Sequence, residues 1–307
     1  MKKILTAVFI FLVFISLYFS RDDFSISDNA EGKNNYSQNN KQTADNLIAS
    51  SFLSGNIENN ETSYKQCYLK IEAKAGLIKY LSHNRNIFEL NPDKHWSIAS
   101  ISKLMAAIVA FEQIGASREI KIDAKSVATE GISGEFKEGD FFSSLDLIKA
   151  MLLVSSNDAA TALAGTIGEE TFMKLMNQKA QELKMSDTIY FNPSGLSFLN
   201  QSTPNDLAKL ANYIYNDRQK VFDITKQKEI TIKELGFQKT RNLANINQLS
   251  GRNDFIGGKT GYLDESGRNL ISLFNINNQP ILTVILGAED AYKETEKMLT
   301  CISPTLF

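Results

Sequence analysis

The chain has 307 residues, 43% hydrophobic and 22% charged, an ordinary globular composition with length for one large domain or two small ones. Acidic and basic residues nearly balance, 35 against 33, for a net charge of −2. That balance gives no global attraction to nucleic acid or to an anionic membrane surface, so the expected partner is a discrete small substrate.

Lys2 and Lys3 precede Ile4 to Phe19, a run that is apolar apart from Thr6 and Ser16. Residues 1–20 therefore read as a signal or anchor segment. Because no clean small-x-small pair follows it, an uncleaved N-terminal anchor is expected, with signal cleavage as the alternative. Residues 21–63 hold nine asparagines and no proline among many Ser, Gln and acidic residues. Such a tract buries too little apolar surface to order itself and is expected to be a disordered linker, spanning about 35–40 Å.

Residues 64–307 carry the globular pattern. Ile71–Leu81 and Ile87–Leu90 read as strands joined by the polar turn Ser82–Asn86, and Asn91-Pro92-Asp93 breaks the second. A helix entered near Ser100 runs to about Ile114, and Gly131, Gly134 and Gly139 mark turns in a loop-rich section. Helices dominate from Ser144 to about Asn216, with caps expected at Ser144 and Thr203-Pro204 and a break at Phe191–Leu196. After a mixed segment come strands at Phe255–Leu263, Asn269–Ile276 and Ile281–Leu286, the last two joined at Asn277-Asn278, and then a helix over Ala291–Cys301. Strands at both ends with helices between predict an α+β domain. Its antiparallel sheet is formed by the N- and C-terminal segments and flanked by helices, an all-helical lobe is inserted, and the site lies in the cleft between.

Ser100 near a helix start is by default an N-cap. Lys103 changes the weighing, because residues three apart share a helix face and an amine beside a hydroxyl is a candidate activated nucleophile. A lysine with its ordinary pKa near 10.4 holds its proton at neutral pH, and lowering it by about 3 units costs roughly 4 kcal/mol. An apolar wall and a second nearby cation must supply that. Lys259-Thr260-Gly261, on a predicted strand, offers the cation. Ser155-Ser156-Asn157-Asp158, between two helices, reads on its own as capping.

Other chemistries fit poorly. His83 and His95 both precede Ser100 and no G-x-S-x-G elbow exists, which argues against a Ser-His-Asp triad. Two histidines and two distant cysteines give no metal-ligand spacing, and no cofactor is expected. Gly257-Gly258-Lys259-Thr260 imitates the end of a P-loop, but Asn253 stands where a glycine is required and a strand follows. Cys67 and Cys301, at the two ends of the globular part, read as unpaired buried thiols, with a bridge between them as the alternative in an oxidising compartment.

S-x-x-K, S-x-N and K-T-G are each weak, but in this order on a helix start, a lobe loop and a strand they form a joint pattern. With Asn91-Pro92-Asp93, Ala99–Met105, the run Met151–Ala164 and Asn192–Leu196, the chain resembles the low-molecular-mass penicillin-binding proteins that are D-alanyl-D-alanine carboxypeptidases, the S11 serine peptidases. The resemblance covers about residues 66–300. It implies Ser100 as acylated nucleophile, Lys103 as general base, and Ser155 and Asn157 as proton relay and substrate-amide holder on the opposite wall. It also implies Lys259, Thr260, Gly261 and Tyr262 as substrate-binding residues, Lys259 and Thr260 facing the terminal carboxylate and the N–H groups of Ser100 and Tyr262 forming the oxyanion hole.

The implied substrate is a peptidoglycan stem peptide ending in D-Ala-D-Ala, with β-lactams acylating the same serine, at the extracytoplasmic face of a bacterial membrane or exported. A DD-endopeptidase acting on cross-links uses the same residues. A class A β-lactamase fits less well, because no E-x-x-L-N stretch lies between Ser155 and Lys259. An inactive muropeptide-binding module fits less well because Ser100, Lys103, Ser155, Asn157 and Lys259 are all intact. Family members often carry an arginine before the aromatic of the last helix, where this chain has Ala291-Tyr292. Many also continue past the position of Phe307 into a β domain and an anchor helix, a role the N-terminal segment is expected to take over.

Overall fold

The computed structural model describes residues 69–131 and 134–302. The expected anchor and linker, residues 1–63, lie outside the described residues, as does Cys67.

Two hydrophobic periods build the domain. Strands β1 (Ala75–Tyr80) and β2 (Arg85–Leu90) form the predicted hairpin. Near the other end of the chain run β9 (Phe255–Leu263), β10 (Gly267–Ile276) and β11 (Gln279–Ala288), after β3 (Trp96–Ser97), β4 (Glu119–Lys121), β5 (Phe141–Ser143), β6 (Gln201–Ser202), β7 (Glu229–Lys233) and β8 (Thr240–Ala244). The main sheet has the order β2-β1-β11-β10-β9, antiparallel throughout, so first and last segments share one sheet as expected. Asn277 and Asn278 both take positive φ, 53° and 61°, which gives the β10–β11 turn the backbone twist of a tight hairpin.

Both sheet faces are covered. On β11, Leu282, Val284 and Leu286 face the larger core, while Ile281 and Ile285 face a smaller one closed by the final helix. Burial on both faces is why these strands read as nearly continuous apolar runs.

The helices are α1 (Lys103–Gln113), α2 (Ala124–Val127), α3 (Ser144–Leu153), α4 (Asn157–Gly165), α5 (Glu169–Glu182), α6 (Pro204–Asp217), α7 (Lys220–Thr225) and α8 (Ala291–Thr300). From Leu104 to Ala110 every residue of α1 is buried, as its small apolar residues predict for a central helix. Thr203 caps α6, its hydroxyl accepting from the Asp206 N–H at 3.1 Å, with Pro204 in the first turn.

Three expectations need correction. The α3 cap is Ser143, which accepts from the Asp146 N–H at 3.1 Å; Ser144 instead donates to the Gly115 carbonyl at 2.7 Å. The loop-rich and mixed segments contain two small sheets, β4 with β5 and β7 with β8. Of the β7–β8 hairpin only Ile232 and Leu243 are buried, so its apolar signal is one residue per strand. Third, Cys301 is in a disulfide and is not a free thiol.

Phe172 on α5 is wholly buried in the core beneath the helical lobe. Replacing it with Ala should cost about 3–5 kcal/mol, the usual range for emptying such a site. Urea denaturation would read this as a lowered midpoint with an unchanged slope.

Candidate active site

Ser100 does not cap a helix. It lies inside a 3₁₀ turn, Ala99–Ser102, that runs straight into α1, and no side chain caps either start. Its hydroxyl is therefore left to other partners, and the closest is Lys103 Nζ at 2.8 Å.

The turn is held between two glycines from distant segments. A Cβ on Gly195 would stand 2.0 Å from the Ala99 carbonyl oxygen, and Gly195 has φ +83°. A Cβ on Gly261 of β9 would stand 2.5 Å from the Ile98 carbonyl oxygen. Only residues without a Cβ permit both approaches. Asn200 adds a clamp: its amide donates to Ser102 Oγ and to the Asn192 carbonyl, both at 2.9 Å, while its oxygen accepts from the Phe191 and Asn192 N–H groups. The segment read as a break in the helices is thus pinned against the Ser100 turn.

Lys103 is wholly buried, with three hydrogen-bond partners. Its amine meets Ser100 Oγ at 2.8 Å, Asn157 Oδ1 at 2.7 Å and the Ser194 carbonyl. The orientation of Asn157 at the start of α4 is set from behind, since its amide donates to the Glu130 carbonyl at 2.8 Å and turns its oxygen to Lys103. Two of the three partners are carbonyl-type oxygens that can only accept. A neutral Lys103 would spend both N–H groups on them and leave its lone pair to the Ser100 hydroxyl.

Lys103 is held well below the ordinary lysine range. Loss of water is the largest cause, the positive charge of Lys259 adds to it, and Asp158 opposes. The second cation required by the sequence argument is therefore present, although burial does more. Lys259, 2% exposed on β9, is pushed down to about 7 by its own burial. Its amine donates to Ser155 Oγ at 3.0 Å and to the Thr260 carbonyl at 3.1 Å. Ser155 adopts φ +58°, a strained conformation for a serine that places its hydroxyl between α3 and α4.

Ser100, Ser155, Thr260, Gly261 and Tyr262 line one cavity of about 310 Å³, together with Ile246, Gln248, Arg268, Asn269, Leu270, Ala291 and Tyr292. Lys103, Asn157 and Lys259 stand behind that wall and reach it through the two serines. All eight residues singled out in the sequence thus converge on this region, but Lys259 is turned inward and does not line the cavity. Ser156 and Asp158 do the capping: Ser156 Oγ accepts from the Ala159 N–H, and the Asp158 carboxylate takes the N–H groups of Gly134 and Ala159. Sequence reasoning missed the Ser194 carbonyl and Asn200. A backbone oxygen has no residue signature, and the one available signal was the glycine after Ser194. Among the described residues no group of His, Cys, Asp and Glu could hold a metal ion.

Gly195→Ala should disrupt the Ser100 turn and lower thermal stability, because its Cβ meets backbone that cannot move aside; a melting curve unchanged from wild type would contradict the close packing. Lys259 gives a pH test. Between about 7 and 10.5 the unfolded chain binds a proton on this amine that the folded chain lacks, so stability rises with pH across that window. In urea denaturation, wild type should gain stability relative to Lys259→Met as the pH is raised through it.

Residues 60–290 match the D-alanyl-D-alanine carboxypeptidase family, S11. The chain is similar to a D-alanyl-D-alanine endopeptidase of Pseudomonas aeruginosa, 31% identical over 239 residues that cover 73% of this chain and 74% of that one. It is also similar to D-alanyl-D-alanine carboxypeptidase DacC of Escherichia coli, 30% identical over 250 residues, 75% of this chain and 61% of the other. Penicillin-binding protein D2 of Listeria monocytogenes in its ampicillin-bound form superposes with a TM-score of 0.68 at 28% identity, covering 76% of this chain and 99% of that one. With the fold, the buried lysine pair and this extent of similarity in agreement, the chain belongs to the S11 family of D-alanyl-D-alanine carboxypeptidases, serine peptidases of the penicillin-binding protein fold.

Proposed function

We propose that this protein removes the terminal D-Ala from peptidoglycan stem peptides through an acyl-enzyme on Ser100. The observation that carries the assignment is the Lys103 amine, buried, depressed in pKa and 2.8 Å from Ser100 Oγ, with its other two partners restricted to accepting oxygens. Ser100 Oγ attacks the carbonyl of the penultimate D-Ala as Lys103 takes the hydroxyl proton. Charge developing on the carbonyl oxygen is met by the N–H groups of Ser100 and Tyr262. The amine of the last residue leaves with a proton delivered from the Lys103, Ser155 and Lys259 side, and water then releases the acyl group by the reverse transfers. Asn157 positions Lys103 and offers its amide edge to the substrate.

Residues 64–307 form the catalytic domain in this reading, held at the outer face of a bacterial membrane by residues 1–20 through the 21–63 linker. Extracytoplasmic action follows from the family, whose substrate is the cell wall. Cleavage of cross-linked peptides by the same residues is the second reading, favoured by the endopeptidase name of the Pseudomonas aeruginosa relative.

A fluorescent penicillin should label the wild-type protein covalently and leave Ser100→Ala unlabelled. Lys103→Met should retain binding but acylate at least about 10²-fold more slowly, the scale of losing a general base. Incubation with a D-Ala-D-Ala peptide and, separately, with a cross-linked dimer should release free D-Ala and leave the dimer intact. Dimer cleavage without D-Ala release would select the endopeptidase, and wild-type protein that takes no label would overturn the assignment of Ser100.

A further inference from the structure

Of the three oxygens around the Lys103 amine, two stand on helical elements: Ser100 lies in the 3₁₀ turn that leads into α1, and Asn157 opens α4. The third, the Ser194 carbonyl, belongs to a loop. A neutral amine aims its lone pair at Ser100 Oγ only while both of its N–H groups are held elsewhere, so the placement of this loop oxygen matters to the proton transfer itself.

Asn200 reaches both sides of that contact. Its side chain is wholly buried and every polar position on it is taken: Nδ2 donates to Ser102 Oγ and to the Asn192 carbonyl, both at 2.9 Å, and Oδ1 accepts from the N–H groups of Phe191 at 2.8 Å and Asn192 at 3.2 Å. A carbonyl on one side and two N–H groups on the other demand a donor and an acceptor on one short side chain, which an amide supplies. The Asn200 backbone adds a bond to the same turn, its carbonyl accepting from the Ile98 N–H at 3.0 Å. Ile98 and Ser102 stand two residues to either side of Ser100, so Ser100 is bracketed by bonds to a single residue. On the loop side the fixation passes on through Asn192, whose Oδ1 accepts from the Gly195 N–H at 2.7 Å and closes a turn around Pro193 and Ser194. The Ser194 carbonyl leaves that turn facing Lys103 Nζ and lies 3.5 Å from Ser100 Oγ.

We propose that Asn200 is a positioning residue for acyl transfer: by bonding the 191–195 turn and the Ser100 turn at once, it keeps the Ser194 carbonyl on the Lys103 amine and so directs the lone pair of that amine to Ser100 Oγ. The proposal rests on the acyl transfer proposed above. Without the Asn200 amide, Lys103 keeps Asn157 but loses a fixed partner for its second N–H, and the amine turns away from the hydroxyl. Asn200 does not line the cavity, so the loss falls on the chemical step and not on the walls that receive the substrate.

The same loop carries its own control. Asn177 on α5 holds the other end of it, donating to the Tyr190 carbonyl and accepting from the Tyr190 N–H, both at 2.9 Å, with a further bond to the Met173 carbonyl of its own helix at 3.1 Å. Acylation by benzylpenicillin, followed over a range of concentrations, separates the saturation constant from the rate constant of the chemical step. Asn200→Ala should lower that rate constant by about 10- to 100-fold, the scale for a misplacement near 1 Å, and leave the saturation constant unchanged. Asn177→Ala should melt at a lower temperature and acylate at the wild-type rate. Loss of folded protein by itself reduces the fraction labelled and not the rate, so a merely structural role is told apart in the same experiment. Ser102→Ala removes the bond to the turn and leaves the loop side of Asn200 whole; it should slow acylation in the same direction, and it tests the link even if Asn200→Ala does not fold. A wild-type rate constant in either Asn200→Ala or Ser102→Ala, or equal slowing in Asn177→Ala, would overturn the role of Asn200 alone. Wild-type protein that benzylpenicillin does not acylate would overturn the proposed acyl transfer, and this inference with it.

Discussion

Two lysine amines share one buried site, and the rest of the structure is arranged around making that tolerable. A lysine loses several kcal/mol of hydration when water is withdrawn, and a second positive charge nearby deepens the penalty. Lys103 meets it by giving up its proton more readily and by finding three oxygens: one hydroxyl, one side-chain amide and one backbone carbonyl. Lys259 meets it on the other side of the site with Ser155 and a carbonyl of its own strand. Each partner comes from a different element, so the pair fixes how α1, α4, β9 and the 191–200 loop come together.

Such a site works only within a rigid frame. Catalytic geometry tolerates errors of well under an ångström, and a loop carbonyl is a poor positioning device unless its loop is tied down. Here the tie is steric as well as polar. Gly195 and Gly261 let two backbones press on the Ser100 turn from opposite sides, and Asn200 joins the loop to Ser102. The positive φ of Ala99 and Ser155, 49° and 58°, falls beside the Ser100 hydroxyl and at Ser155 itself, two residues that line the cavity. Strain of this kind persists where surrounding contacts over-determine the backbone.

The sheet supplies the fixed wall. Because β10 and β11 are buried on both faces, the edge strand β9 is backed by two fully packed strands, and from Gly257 to Leu263 it keeps one register against β10. That register places Arg268 beside Tyr262 and so gives the cavity, otherwise lined by neutral groups, its cationic corner. The two kinds of cation differ physically: burial makes the charge of Lys103 and Lys259 negotiable, whereas the exposed Arg268 keeps its charge.

The sequence by itself determined a good deal: the long elements, the α+β order with a sheet closed by both chain ends, and the S-x-x-K, S-x-N and K-T-G residues. Those follow from local periodicity and from residue chemistry that survives in any context. Its requirement for a second cation near Lys103 was also sound, since the pKa argument needs no coordinates. The half-buried β7–β8 hairpin and the β4–β5 pair escaped it because their apolar signal is a residue or two per strand. So did the Ser143 cap, one position from the expected Ser144, and the disulfide state of Cys301. Only the tertiary structure decided that Ser100 sits in a 3₁₀ turn, that Lys259 points inward, that Ser194 contributes its carbonyl, and that Arg268 shares the cavity. Each of these depends on contacts between segments far apart in the chain, where burial and close approach, not residue type, set what a group can do.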